Sequence, residues 1–250
     1  MNYIMSDIHG NAARFNSIMK QIDLQPEDTL YVLGDVIDRY PDGIRLLRHL
    51  MKQPNVKMLL GNHEYMMLKA LDEPEQMDEE NASALRLWYR NGGEITHTFL
   101  KHIRKATRRE IFDFLRSLPL NFNIEVNGQH YILVHGGVVD VYPKYMYNYD
   151  SLEHYAAWHR LRYFDTELKG KTVIFGHTPT TEFQRNNPLE VWHSLDDNMI
   201  GIDCGCGFPP PSVQGRHPAY GRLACLRLDD GKVFYSEEDI PEEVEELVWW

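Results

Sequence analysis

The sequence predicts an α/β fold, with helices packed on a parallel sheet and an antiparallel pair of strands near the end. Three observations predict it. In the first third, short apolar runs alternate with stretches of helical period. Strand signals return after a helical middle. Residues with metal-binding chemistry follow nearly every predicted strand, and the carboxyl ends of strands are where open α/β sheets bind ligands.

Tyr3-Ile4-Met5 is the first apolar run, and Phe15, Ile18, Met19 and Ile22 then fall on one helix face, with Asn11 placed to cap it. Leu30-Tyr31-Val32-Leu33 is the second strand, Ile44, Leu47 and Met51 mark the second helix, and Val56 to Leu60 is the third strand. This β-α-β-α-β order requires parallel pairing, because each crossover returns the chain to the same edge. Residues 64–118 read as mostly helical; Ile111, Phe114, Leu115 and Leu118 form a stripe that Pro119 stops. Strands resume at Tyr131-Ile132-Leu133-Val134 and Thr172-Val173-Ile174-Phe175. The last third reads as antiparallel: the segments 223–228 and 232–235 flank Asp229-Asp230-Gly231, a hairpin turn signal, after a Pro- and Gly-rich loop at 207–218.

Composition narrows the class. The 250 residues are 43% apolar and 25% charged, which excludes a mainly disordered chain. No apolar run approaches the roughly 18 residues of a membrane span, and the start Met1-Asn2-Tyr3-Ile4-Met5 lacks the basic and long apolar regions of a signal peptide. Three cysteines do not make a disulfide framework, so a reducing cytoplasm is the expected compartment. The net charge of −11 argues against nucleic acid as partner. Much of that charge lies in residues 236–250, which divide from a main domain at 1–235 as an acidic tail with Ile240, Val244, Leu247 and Val248 at helical spacing. Oligomeric state is left open.

The polar segments at the strand ends carry the chemistry. They are Asp7-Ile8-His9-Gly10, Gly34-Asp35-Val36-Ile37-Asp38-Arg39, Gly61-Asn62-His63-Glu64, His135-Gly136-Gly137 and Gly176-His177. Carboxylate, imidazole and amide oxygen together suit Mn, Fe or Zn rather than thiolate-selected ions. The set is too large for one tetrahedral ion and fits two ions sharing a carboxylate, an arrangement that clamps a phosphate and activates a water. Cys204-Gly205-Cys206 lacks a second pair and reads as a tight turn with buried thiols; Cys225 reads as core. Lys101, Arg104, Lys105, Arg108 and Arg109 read as the solvated face of a helix, and His97, His102, His154 and His193 as ordinary surface or core residues.

In these five ordered segments the chain resembles the calcineurin-like metallophosphoesterases, and within them the bacterial and phage serine/threonine phosphoprotein phosphatases, from Met1 to about Asp230. The resemblance implies a four-layer αββα sandwich of two mixed sheets. It implies that Asp7 and His9 hold a first divalent ion, that Asp35 bridges, and that Asn62, His135 and His177 hold a second, with Mn the leading metal and Fe or Zn alternatives. It makes a metal-bridging hydroxide the nucleophile, His63 the general acid, Asp38 the group that orients it, and Arg39 the phosphate grip. A Trp-x-Arg segment, here Trp158-His159-Arg160, supplies a second phosphate arginine, Arg160, with Arg162 the fallback. Tyr40 stands where the family usually has Gly, and is read either as shaping the substrate pocket or as covering the sheet edge. Leu60 stands where the family usually has Arg. Pro179 after Gly176-His177-Thr178 fits the phosphatase branch.

The resemblance implies a phosphoprotein, small phosphoester or nucleotide as substrate. Phosphoserine or phosphothreonine in protein leads, because Glu64 and Gly136 differ from the Gly-Asn-His-Asp and His-Ala-Gly common in the symmetrical diadenosine tetraphosphatases, the second reading. A third reading, an inactive fold used for binding, is opposed by the complete ligand set.

Overall fold

The computed structural model describes residues 1–71, 79–162, 168, 170–208 and 221–237. The chain opens with β1 (Asn2–Met5), α1 (Ala12–Ile22), β2 (Thr29–Val32), α2 (Gly43–Leu50) and β3 (Val56–Met58). The Asn11 side chain accepts a hydrogen bond from the Arg14 backbone N–H at 3.1 Å, the cap the sequence predicts for α1. β1 pairs with β2, and β2 with β3, in parallel. Four helices follow: α3 (Asn62–Leu71), α4 (Glu79–Arg90), α5 (Glu94–Leu100) and α6 (Lys105–Ser117). The second half contains β4 (Asn121–Val126), β5 (Gln129–Val134), α7 (Leu152–Trp158), β6 (Thr172–Phe175), β7 (Trp192–His193), β8 (Met199–Gly201), β9 (Ala224–Arg227) and β10 (Val233–Tyr235).

Two five-stranded mixed sheets result, one in the order β10-β9-β1-β2-β3 and the other β4-β5-β6-β8-β7. Strand alternation distributes the core. Ile4, Tyr31 and Leu33 of the first sheet meet Leu133, Ile174 and Ile200 of the second, filling the space between the sheets. Their neighbours Tyr3, Met5, Leu30 and Val32 face the other way, onto Phe15 and Ile18 of α1, Leu47 of α2 and Ile111 and Leu115 of α6. Ile132, Val134, Val173 and Phe175 cover the outer face of the second sheet together with Val138 and Leu161. This is the αββα sandwich. No helix among the described residues is long and apolar enough to cross a membrane.

The structure corrects the sequence reading in three places. β4 is an additional strand, joined to β5 by Asn127-Gly128 with φ of +53° and +79°. Asn-Gly favours this tight hairpin turn, so its signal stood unread in the sequence. The last third is not wholly antiparallel: β8 runs parallel to β6, and only β7 on β8 and β9 on β1 and β10 are antiparallel. β7 and β8 have two and three residues, too few to show a period. The basic run does not share one helix, because Lys101 caps the end of α5 and Arg104 precedes α6. Of the acidic tail at 236–250, residues 238–250 lie outside the described residues, as do residues 209–218 of the Pro- and Gly-rich loop at 207–218.

Candidate active site

The five segments singled out in the sequence follow β1, β2, β3, β5 and β6, and the structure brings them to one edge. The chain curls sharply there. Asp7, His9, Asp35, Asp38, Arg39 and His177 all have φ between +51° and +73°. Such backbone costs about 1–3 kcal/mol per residue and persists only where its surroundings hold it. Asp and His tolerate it better than most residues, which helps explain their use at these turns. The two leading loops also bond to each other, His9 N–H to Asp35 C=O at 2.9 Å and Gly10 N–H to Val36 C=O at 2.7 Å.

Among the described residues, two buried sets offer ligand atoms within 4.8 Å of one another: His9, Asp35 and His63, and Asp35, His135 and His177. Asp35 belongs to both. The Asn62 Oδ1 atom lies 3.0 Å from His135 Nε2 and 2.8 Å from His177 Nδ1, so the predicted second ligand group is assembled. In the first group Asp7 stands to one side, Oδ1 3.9 Å from His9 Nε2, while Oδ2 accepts from the Ser6 hydroxyl and from His177 N–H at 3.0 Å.

The donor chemistry fits cations. His135 Nδ1 faces Leu33 C=O at 2.6 Å, His177 Nε2 faces Trp158 C=O at 3.2 Å, and His9 Nδ1 faces Ile37 C=O at 3.2 Å. A carbonyl accepts only, so these nitrogens carry the protons and the opposite ring nitrogens turn lone pairs inward. Burial, and the Arg39 and His63 charges, push His9 well below the usual imidazole range; burial and His135 do the same to His177. Imidazole lone pairs, an amide oxygen and carboxylates thus converge, an arrangement that divalent ions would satisfy. The two carboxylates are shifted in opposite directions. Burial and the charge of Asp35 raise Asp7. Burial works against the ionisation of Asp35 as well, but His135, His63 and His9 outweigh it and hold Asp35 below the ordinary carboxylate range.

Beside this centre His63 Nδ1 donates to Asp38 Oδ2 at 2.7 Å, and its Nε2 lies 3.3 Å from Arg39 Nη2 and 3.9 Å from Asp35 Oδ2. Arg39 is exposed at the mouth, and its charge reaches Asp7, His9 and the buried Asp203. Arg160 is exposed beyond the end of α7 and close enough to His177 to disfavour its protonation. Tyr40 is half-buried, and its hydroxyl donates to Phe208 C=O at 2.9 Å. That bond ties the loop after β8 to the residue beside Arg39.

A model of the calcineurin-like phosphoesterase family matches residues 3–199. The chain belongs to that family. Membership makes it a metal-dependent phosphatase, and the two-sheet fold and His/Asp sets are those of a calcineurin-like metallophosphoesterase. Serine/threonine-protein phosphatase 1 of Salmonella typhimurium is 27% identical over 205 residues, covering 79% of this chain and 86% of that one. A symmetrical bis(5'-nucleosyl)-tetraphosphatase of Paracidovorax citrulli is 23% identical over 195 residues, 77% of this chain, and the match spans 62% of the tetraphosphatase's length. Among solved structures, a metallophosphoesterase from Sphaerobacter thermophilus aligns with a TM-score of 0.54 at 16% identity, over 96% of this chain and 89% of that one. A protein serine/threonine phosphatase from Saccharomyces cerevisiae aligns with a TM-score of 0.56 at 14% identity, over 94% and 79%. Identities this low speak for the fold alone.

Several residues of this phosphoesterase site received no role from the sequence. Glu64 is fully buried; Oε2 accepts from Asp35 N–H at 2.9 Å, and Oε1 from Val36 N–H at 2.9 Å and Ile37 N–H at 3.2 Å. Left-handed backbone at Asp35 turns successive N–H groups to one side, and the carboxylate fills that nest. Burial, then the charge of Asp35, raises Glu64 above the usual range against these bonds. Asp203 follows β8 and is pushed up to about 8 by burial and by Asp7; its Oδ1 accepts from Gly205 N–H at 2.9 Å. Gly205 has φ of +76°, so Cys204-Gly205-Cys206 is a tight turn with buried thiols, as the sequence predicts. Burial raises both thiols. Asp203 escaped notice because the strand before it was unrecognised.

Proposed function

We propose that this phosphatase hydrolyses phosphate monoesters, with phosphoserine or phosphothreonine in protein as its substrate, in a cytoplasmic setting. The observation that carries the reading is the His63–Asp38 pair, at 2.7 Å, standing with Arg39 over ligand sets that share Asp35. Phosphoryl transfer is catalysed chiefly by positioning and charge stabilisation, and each of these side chains supplies one or the other.

Asp7, His9 and Asp35 would hold one divalent ion, and Asp35, Asn62, His135 and His177 a second, with Mn the first choice. Bound there, the ions supply a water activated for attack and neutralise phosphate charge. Arg39 offers a planar fork of donors to the phosphate oxygens, joined by Arg160 from beyond α7. Asp38 accepts from Nδ1–H of His63, which leaves Nε2, 3.3 Å from Arg39 Nη2 and 3.9 Å from Asp35 Oδ2, as the atom that would hand a proton to the leaving oxygen. Tyr40, bonded through its hydroxyl to Phe208, would wall the substrate pocket beside Arg39.

The choice of phosphoprotein rests on Glu64 and Gly136, and on the match to the Salmonella phosphatase across 86% of that relative's length. The dinucleoside polyphosphate reading is kept because the tetraphosphatase of Paracidovorax citrulli matches over 77% of this chain. Phosphate release from phosphoserine and phosphothreonine peptides, compared with cleavage of diadenosine tetraphosphate, each with Mn and with chelator, separates the two. Chelator-sensitive turnover favouring the peptides is expected; preference for the dinucleotide overturns the substrate assignment.

A further inference from the structure

The helical middle contributes one side chain to the chemistry that the five ligand segments do not account for. Trp88 is the single fully buried residue among the described positions of α4, with 0% of its surface exposed. Its indole Nε1–H donates to Asp38 Oδ2 at 2.7 Å, the same oxygen, at the same distance, that accepts from His63 Nδ1. The other Asp38 oxygen, Oδ1, is buried and has no hydrogen-bond partner among the described residues. The orientation of this carboxylate therefore rests on two donors at one atom, His63 and Trp88.

The turn after α4 and the first residues of α5 reinforce the arrangement from the backbone side. Asp38 N–H donates to Thr96 Oγ1 at 3.1 Å, and Arg39 N–H to Gly92 C=O at 3.2 Å. A side chain at Gly93 would collide with the Trp88 indole, so glycine there is what lets the ring lie against the turn. Asp38 and Arg39 both have positive φ, +73° and +68°, and these contacts hold that strained pair. Packing alone explains why Trp88 is buried. It does not explain why the only polar atom of the ring is aimed at the carboxylate of the His63–Asp38 pair.

We propose that Trp88 is a positioning residue for proton donation: its N–H fixes Asp38, and Asp38 in turn fixes the His63 ring. The inference rests on His63 as the proton donor. Without the indole N–H, Asp38 keeps one donor and is free to rotate its unpartnered oxygen toward His63, so the ring loses its set direction toward the leaving oxygen.

The test uses the full chain loaded with Mn and two classes of substrate. p-Nitrophenyl phosphate has a leaving group that departs with little need of a proton; phenyl phosphate and a phosphoserine peptide need one. Trp88→Phe is expected to lower kcat about ten-fold or more on the second class, with KM unchanged and with turnover of p-nitrophenyl phosphate near that of the parent. A merely structural role would lower all substrates alike, and that result, or no loss at all, overturns the proposal. His63→Asn is run in parallel. If it too affects all substrates alike, the proton-donor reading itself fails; if it is selective while Trp88→Phe is not, only the role of Trp88 fails. Should Trp88→Phe not fold, Trp88 exchanged for β-(3-benzothienyl)alanine keeps the ring shape, removes only the N–H, and carries the same expectation.

Discussion

Glu64 is a carboxylate whose replacement by its own amide has a cost that can be worked from the structure. It accepts three backbone N–H bonds, at 2.9, 2.9 and 3.2 Å, from the turn that carries Asp35. In Glu64→Gln one oxygen becomes an NH2 group facing an N–H, so at least one bond is lost and the others fall from charged to neutral. Bonds to a charged acceptor contribute about 1.5–3 kcal/mol and neutral ones about 0.5–1.5, so exchanging three of the first for two of the second loses about 3.5–6 kcal/mol. Relief of desolvation at this buried carboxylate offsets about 1–3 kcal/mol of that, for a net destabilisation of about 3 kcal/mol. At about 2–4 °C per kcal/mol for a domain of this size, the melting temperature should fall by about 6–12 °C. Because Asp35 belongs to both ligand sets, loosening its turn should also weaken Mn binding about 10- to 100-fold, as loss of outer-shell partners commonly does. Thermal unfolding in chelator and a Mn titration at the same pH read the two effects. A Gln variant that melts with the parent and binds Mn equally would refute the idea that Glu64 holds the turn.

Three further predictions follow from the same geometry. Asp203 ionises at about 8 in the fold against an ordinary 3.8, so its contribution to stability is full below 3.8 and lost as pH rises through 8. In metal-free protein Asp203→Asn should therefore gain stability over the parent progressively from pH 4 to 8, and a gain independent of pH would contradict this. His49 is pushed down to about 4 by burial and Lys52, so it stabilises the fold above 6.5 and that contribution disappears as pH falls toward 4. His49→Leu should lose less stability than the parent across that range, measured by denaturant unfolding. At Gly207 an added Cβ would overlap the His9 ring and stand 2.6 Å from Arg39 Nη1. Crowding of this kind costs about 1–3 kcal/mol, so Gly207→Ala should raise KM for phosphoester and weaken inhibition by inorganic phosphate. Unchanged KM and inhibition would separate this loop from the phosphate site.

Legibility in the sequence followed the range of the interactions. Helix faces such as Phe15, Ile18, Met19 and Ile22, and the cap at Asn11, are local patterns, and the structure has them. The hairpin at Asn127-Gly128 was equally local and went unread. β7 and β8 are held by pairing with distant segments rather than by any period of their own, so no reading of neighbours would find them. Trp88 shows the same limit: α4 appears in the sequence as one more helix, and only the Gly92-Gly93 break hinted that its end meets something closely.

The sequence by itself determined the chemistry of this protein. Side-chain type is fixed residue by residue, and ordered segments that place Asp7, Asp35, Asn62, His135 and His177 at strand ends leave few other reactions open. Tertiary structure alone decided how those groups act. It made Asp35 common to both ligand sets, filled the nest under it with Glu64, aimed Trp88 and His63 at one oxygen of Asp38, and brought buried Asp203 within reach of the Asp7 and Arg39 charges. Each of these depends on distances between residues far apart in the chain, together with the loss of water on burial. Packing of the two sheets and their helices sets both.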